Sequence, residues 1–129
     1  MSMKSLNILR VLVVGSMMLC GSAHAFAATF DSIAVDDDAA TSGGQAGYGV
    51  GEGSSADEAK REAMKQCRSS GNHSCEVAVT YQRCGAYASS KKNSGTGTGE
   101  TEKAASAAAM DNCGISACRL VVADCVGKE

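Results

Sequence analysis

Ser55–Cys67 reads SADEAKREAMKQC, and Thr101–Cys113 reads TEKAASAAAMDNC. Laid one over the other, Ala59 meets Ala105, Ala63 meets Ala109, Met64 meets Met110, and the two cysteines coincide. Ala59, Ala63 and Cys67 fall at i, i+4 and i+8, a stripe of small groups along one helix face. Each stretch opens on a hydroxyl residue able to cap the first turn, and Ser55 with Glu58 makes a capping box. Gly71 and Gly114 stand just past the ends, where a left-handed residue often stops a helix. A helix whose buried face is Ala and Cys can lie close to a sheet, because little side chain separates the backbones. The chain therefore carries one helical unit twice.

The match continues on either side of the helices. Cys75 to Tyr81 alternates, setting Cys75, Val77, Val79 and Tyr81 on one face of a strand and Glu76 and Thr80 on the other. Cys118 to Cys125 repeats the theme, with Cys118, Leu120 and Val122 inward. Gly-rich stretches, Gly43–Gly53 and Gly95–Gly99, come before the helices, and short strands, Phe30–Val35 and Cys84–Ala88, come before those. The order is strand, Gly-rich hairpin, helix, strand, twice over. This predicts an α+β fold with pseudo-two-fold symmetry, in one domain over residues 26–129 with halves at about 29–83 and 84–125. A half of ~50 residues is small to bury its own core, so both helices are expected to pack on one shared antiparallel sheet.

The chain has 129 residues, with 7 Cys, 15 Gly, no Pro, no Trp and a formal charge of -2. No basic field is present to attract nucleic acid. Aromatic residues make up only 4%, too few for a base- or sugar-stacking platform. Lys4 and Arg10, the apolar run Val11–Cys20 and then Ala23-His24-Ala25 have the pattern of a secretory signal peptide over residues 1–25. Cleavage is expected after Ala25, with Ala27 the alternative. The run is about half the ~20 residues of a membrane span, and nothing after residue 25 is long or apolar enough to span. The expected product is exported, periplasmic or secreted, monomeric, and free of the membrane. Beyond residue 25 it holds ten basic and fourteen acidic residues and six cysteines. An even count in a short exported chain reads as a disulfide framework. No C-x2-C pair exists for zinc, and none for thiol exchange, so neither metal nor cofactor is expected.

Ile33-Ala34 after Phe30, Gly47-Tyr48-Gly49, Ala59…Ala63…Cys67…Cys75, Cys84-Gly85-Ala86-Tyr87-Ala88 and Ala105…Ala109…Cys113…Cys118…Cys125 together form a familiar pattern. In these elements the chain resembles the domain-of-unknown-function 4189 family, small exported bacterial proteins, over about residues 30–125. The resemblance implies export and a duplicated Cys-bearing fold, with some members linked to virulence or to contact with a host or competitor. It supplies no catalytic residues. Fifteen pairings of six cysteines are possible; the repeat suggests Cys67–Cys75 and Cys113–Cys118, leaving Cys84–Cys125. With so few bulky apolar residues, the fold needs these covalent ties, each contributing about 2–4 kcal/mol.

Candidate chemistry is sparse. His73, the one histidine beyond residue 25, sits in the polar turn Ser69–Ser74; it could act as a base, but no G-x-S-x-G elbow presents a serine to it. Asp36-Asp37-Asp38 lacks the Gly and Glu positions of a calcium loop and reads as an exposed acidic turn. Gly47–Gly53 matches neither the dinucleotide nor the Walker pattern and reads as a strand or hairpin. Glu62 with Asp111, or Glu76 with Asp124, could pair for acid–base hydrolysis, yet solvated faces account for them. Ser89–Gly99 is a polar loop with two lysines, a hairpin connection or a binding loop. No catalytic residue is assigned. Two classes remain: a non-catalytic module that binds a protein partner, of inhibitor or immunity type, or a small secreted hydrolase with a site near His73.

Overall fold

The computed structural model describes residues 29–128, so the signal peptide expected over residues 1–25 lies outside the described residues. The first half runs β1 (Phe30–Asp36), α1 (Asp38–Thr41), β2 (Gly47–Gly53), α2 (Ala56–Ser69) and β3 (Glu76–Tyr81). The second runs β4 (Cys84–Ser89), β5 (Ser94–Gly99), α3 (Glu102–Cys113) and β6 (Arg119–Cys125). The fold is α+β, and each half repeats the same order apart from the single turn of α1.

The helices begin and end as the repeat implies. Ser55 and Thr101 each accept a hydrogen bond from the backbone N–H three residues on, Glu58 and Ala104. The capping box is shifted by one residue: the Glu58 carboxylate takes the N–H and hydroxyl of Ser54 at 2.9 and 2.7 Å rather than the N–H of Ser55. Gly71 and Gly114 both adopt left-handed backbone, with φ of 92° and 82°. The last-turn carbonyls of the two helices are covered from different places in the chain. Asn72 donates to the Cys67 carbonyl from beyond α2, and Asn93 donates to the Cys113 carbonyl from just ahead of β5.

One feature of the expected architecture is corrected. The helices do not share a sheet. Each half closes its own three-stranded antiparallel sheet, in the orders β2-β1-β3 and β5-β4-β6. Gln82 and Arg83 alone link β3 to β4, so the chain steps directly from one sheet to the other. The two sheets meet by their faces. On the helix side Ala34 packs with Ala63 and Cys67, and Ala86 and Ala88 pack with Ala105 and Ala109. On the opposite side Ile33, Val35, Val79 and Tyr81 pack with Tyr87, Val121 and Val122 from the other half. The layers are helix, sheet, sheet, helix. Stacking the apolar inner faces removes more apolar surface from water than edge pairing of the same strands.

The expected strand faces change at a matched irregularity. Ile33 pairs with Val79 and Ala34 with Val77, which leaves Ala78 as a bulge; Tyr87 pairs with Val122 and Ala88 with Leu120, which leaves Val121 as one. An extra residue reverses the alternation. Val77 and Leu120, both expected inward, are therefore 39% and 43% exposed.

The glycines of β2 and β5 set the distance to the helices. A Cβ on Gly51 would overlap the backbone of Ala63, and one on Gly97 the backbone of Ala105 and Ala109. The bridges join Cys67 to Cys75, Cys113 to Cys118 and Cys84 to Cys125, the pairs the repeat suggests. Two tie a helix end to the following strand, and the third crosses from β4 to β6.

Two stability outcomes follow from this packing. Gly97→Val, which cannot fit without parting β5 from α3, is expected to cost at least about 3 kcal/mol in urea denaturation. Replacing Cys84 and Cys125 by serine opens a separation of 41 residues and is expected to cost about 4 kcal/mol. The same change at Cys113 and Cys118, separated by 5, is expected to cost about 2 kcal/mol.

Candidate functional site

The second half differs from the first in the loop after its helix. In the first half the segment between bridged cysteines is polar, Arg68 to Ser74; in the second it is Gly-Ile-Ser-Ala. Gly114 ends α3 in left-handed backbone, and the Cys113–Cys118 bridge pulls the chain straight back. The Cys118 N–H closes the turn on the Ile115 carbonyl at 3.1 Å. That leaves Ile115 39% exposed, beside the equally open Leu120 at the start of β6.

These two side chains form one wall of a cleft of about 800 Å³ at the junction of the halves. The turn after β4, Ser89 to Lys92, makes a second wall, and Ala40 with Gly43 to Gln45 from the first half makes the third. Gly43 has φ of 90°, and the Lys91 side chain lies where a Cβ on Gly43 would be. Three cations, Lys91, Lys92 and Arg119, line the cleft, and no lining residue is acidic. The ion pairs among the described residues join Arg83 to Glu100 and Lys128 to Glu102, so the three cleft cations carry none. An aliphatic wall beside this positive charge suits an anionic ligand with an aliphatic portion.

A second polar feature lies between the sheets. Asp31 stands directly opposite Glu52 on one side and Tyr81 on the other. It is 1% exposed, and its Oδ1 has no hydrogen-bond partner among the described residues. The Tyr81 hydroxyl crosses to the other half and donates to Asp124 Oδ2 at 2.7 Å. Burial first, then the adjoining Asp124 carboxyl, then the charge of Glu52, push the Asp31 carboxyl up to about 7. Two carboxylates in contact bind each other only through a shared proton. Burial and the bond to Asp124 likewise push the Tyr81 phenol up. Tyr87 also reaches across the halves, donating to Asp37, and burial and that bond push its phenol up to about 12.

The residues singled out in the sequence take these places. His73 is exposed in its turn and donates its backbone N–H to Asp36 at 3.0 Å. Asp36 is not part of an exposed turn: it is buried at the end of β1 and accepts from the N–H groups of Asp38, His73 and Ser74. Those bonds, Ser74 first and then Asp38, hold its carboxyl below the usual range. Asp124 adjoins Asp31, a partner that sequence inspection passed over. Asp31 does carry a signal, since it is an acid at an inward position of an alternating strand, in step with Ile33 and Val35. Lys91 and Lys92 do line a cleft; Leu120 was missed because the bulge at Val121 reverses its facing, and Ile115 and Arg119 because their approach to the turn after β4 depends on the Cys113–Cys118 loop and the pairing of β6 with β4.

The profile of the family described as Domain of unknown function (DUF4189) matches residues 30–125, and the chain belongs to that family. Neither a search of curated proteins nor one of solved structures finds a significant match.

The buried acid makes stability depend on pH. Asp31 binds its proton more tightly folded than unfolded, where it titrates near 3.8. Its contribution is therefore full below about pH 4 and is lost as pH rises through about 7. Asp31→Asn, which stays neutral, is expected to flatten urea stability between pH 4 and 7. At pH 7 it should be more stable than the parent by roughly 1–3 kcal/mol. Equal pH profiles for the two proteins would refute the assignment.

Proposed function

We propose that the chain is an exported, disulfide-stapled binding module that is not an enzyme and that engages a protein partner through the cleft at the junction of its halves. The cleft carries this reading: three cations with no ion pair among the described residues surround two exposed aliphatic side chains on a wall fixed by a disulfide. The bridges fit an oxidising compartment outside the cytoplasm, periplasmic or extracellular, and the leader-like residues 1–25 supply the route there. The hydrolase alternative near His73 has less support. Its imidazole stands in an exposed turn whose backbone N–H groups serve to bond Asp36, and no serine is presented to it by a strained elbow.

The test places a photo-cross-linking amino acid at Leu120, at Ile115 and, as an exposed control in the first turn of α3 outside the cleft, at Lys103 in the protein as produced by its own cells. The expected result is one discrete heterodimer from the two cleft positions and none from Lys103. Lys91→Glu with Lys92→Glu should abolish it. Turnover of any substrate that His73→Ala eliminates would sink the proposal in favour of the hydrolase.

A further inference from the structure

The cleft opens onto a strand with a free edge. In the order β5-β4-β6, β6 pairs with β4 on one side only. On its other edge the described residues supply only the turn bond from the Lys128 N–H to the Cys125 carbonyl. The backbone groups on that edge make no other bond among the described residues, and Arg119 and Leu120 at its start are exposed; an open edge with an aliphatic side chain is a ready template for another strand. Leu120 opens the edge at its cleft end, with the Val121 bulge beside it. Lys91, Lys92 and Arg119 gather at that same end, with no acid lining the cleft beside them and no ion pair among the described residues.

The first half provides an internal comparison. β3 has the same free edge, and Val77 is the counterpart of Leu120, with similar exposure. The residue before it is Glu76, where the second half has Arg119, and the turn that corresponds to Lys91 and Lys92 holds Asp37 and Asp38. The edges are alike, but the charge at their ends is opposite. Only the β6 end is built to hold an anion.

From this we infer that the cleft takes an extended aliphatic peptide, added as a strand to the free edge of β6, with its carboxylate-bearing end among Lys91, Lys92 and Arg119. Main-chain bonds to β6 give affinity, Ile115 and Leu120 cover its apolar side chains, and the three cations fix its direction. The inference rests on the reading of the cleft as a binding site and names the ligand class of that site.

The experiment uses the disulfide-bonded protein and four fluorescent peptides of one aliphatic sequence. One ends in three Glu with an amidated terminus, one replaces these by Gln, one is the Gln form with a free terminal carboxylate, and one is the Glu form with alternate amides N-methylated. Anisotropy is expected to show the Glu peptide binding at least about tenfold more tightly than its Gln twin. Arg119→Glu should erase that preference, and N-methylation should abolish binding. A free-carboxylate form that binds as well as the Glu form would identify a chain terminus as the natural source of the charge. Equal binding of the Glu and Gln twins, or tolerance of N-methylation, overturns the inference.

A random-peptide display selection on the same protein separates this inference from the reading beneath it. An acidic aliphatic consensus lost in Arg119→Glu supports both. A consensus without acid that is still lost in Leu120→Asp overturns the ligand class and leaves the binding reading standing. Selection of nothing that depends on cleft residues overturns both. A dimer of the chain alone, seen by sedimentation and lost in Leu120→Asp, would assign the edge to a second copy instead.

Discussion

Contact between a glycine-bearing strand and an alanine-bearing helix is the interaction on which this molecule is built. β2 and β5 present glycine to the helix at every second position, and α2 and α3 return Ala, Ala and Cys at every fourth. The backbones approach until a single methyl group would not fit between them. Such a contact is well packed but buries little apolar area, so each helix–sheet pair gains less from the hydrophobic effect than a Leu- or Ile-lined pair would. Two consequences follow. The half cannot stand alone, and its outer sheet face must be covered by the other half. The strands and helix ends also need covalent ties, which the three bridges supply at the points where helix returns to strand and where β4 meets β6.

Duplication puts equivalent residues into contact across the interface, and the interface exploits the small differences between them. By strand register Tyr81 and Asp124 occupy the same position in the two halves, as do Asp31 and Gly85. The pseudo-two-fold relation thus brings a tyrosine against an aspartate, where two copies of either residue would bond less well. The Tyr81 ring lies over Gly85, in space that a Cβ there would occupy. An acid at residue 85 to match Asp31 is therefore sterically excluded. The interior polar group is asymmetric for a packing reason, and the carboxyl left on one side is the one whose proton is held above the usual carboxylate range.

Much of this was legible in the chain. The Ala, Ala, Cys stripe, the hydroxyl caps and the glycines past the helix ends specify the helices, because each is a local rule that packing reinforces. The strands were legible in extent, but Val77 and Leu120 faced the other way, since a bulge leaves no mark on apolar alternation. The count of sheets was not legible either: β1 and β4 look alike as edge or central strands, and only the two-residue link Gln82-Arg83 hints that the chain leaves one sheet for the other. For the site, Lys91 and Lys92 were visible as a basic spot, while their meeting with Arg119, Ile115 and the turn after α1 depends on contacts between distant parts of the chain.

Net charge concealed the distribution that matters. Beyond residue 25 the chain is acidic in sum, with the excess of acid in the first half, and the fold sends its carboxylates to separate tasks. Asp36 binds backbone N–H groups, Asp37 and Asp124 accept from tyrosines, and Glu58 caps α2. Carboxylates engaged in this way are not free to neutralise a neighbouring cation. Among the described residues the cleft cations form no ion pair, in a protein with more acids than bases, and a ligand entering there meets local charge opposite to that of the molecule as a whole. A long-range field that repels anions weakly and a short-range site that holds them favour a ligand that presents few carboxylates at one end over a uniformly acidic one. That combination selects by the position of charge along the ligand, which is the kind of discrimination an extended peptide laid along a strand edge can satisfy.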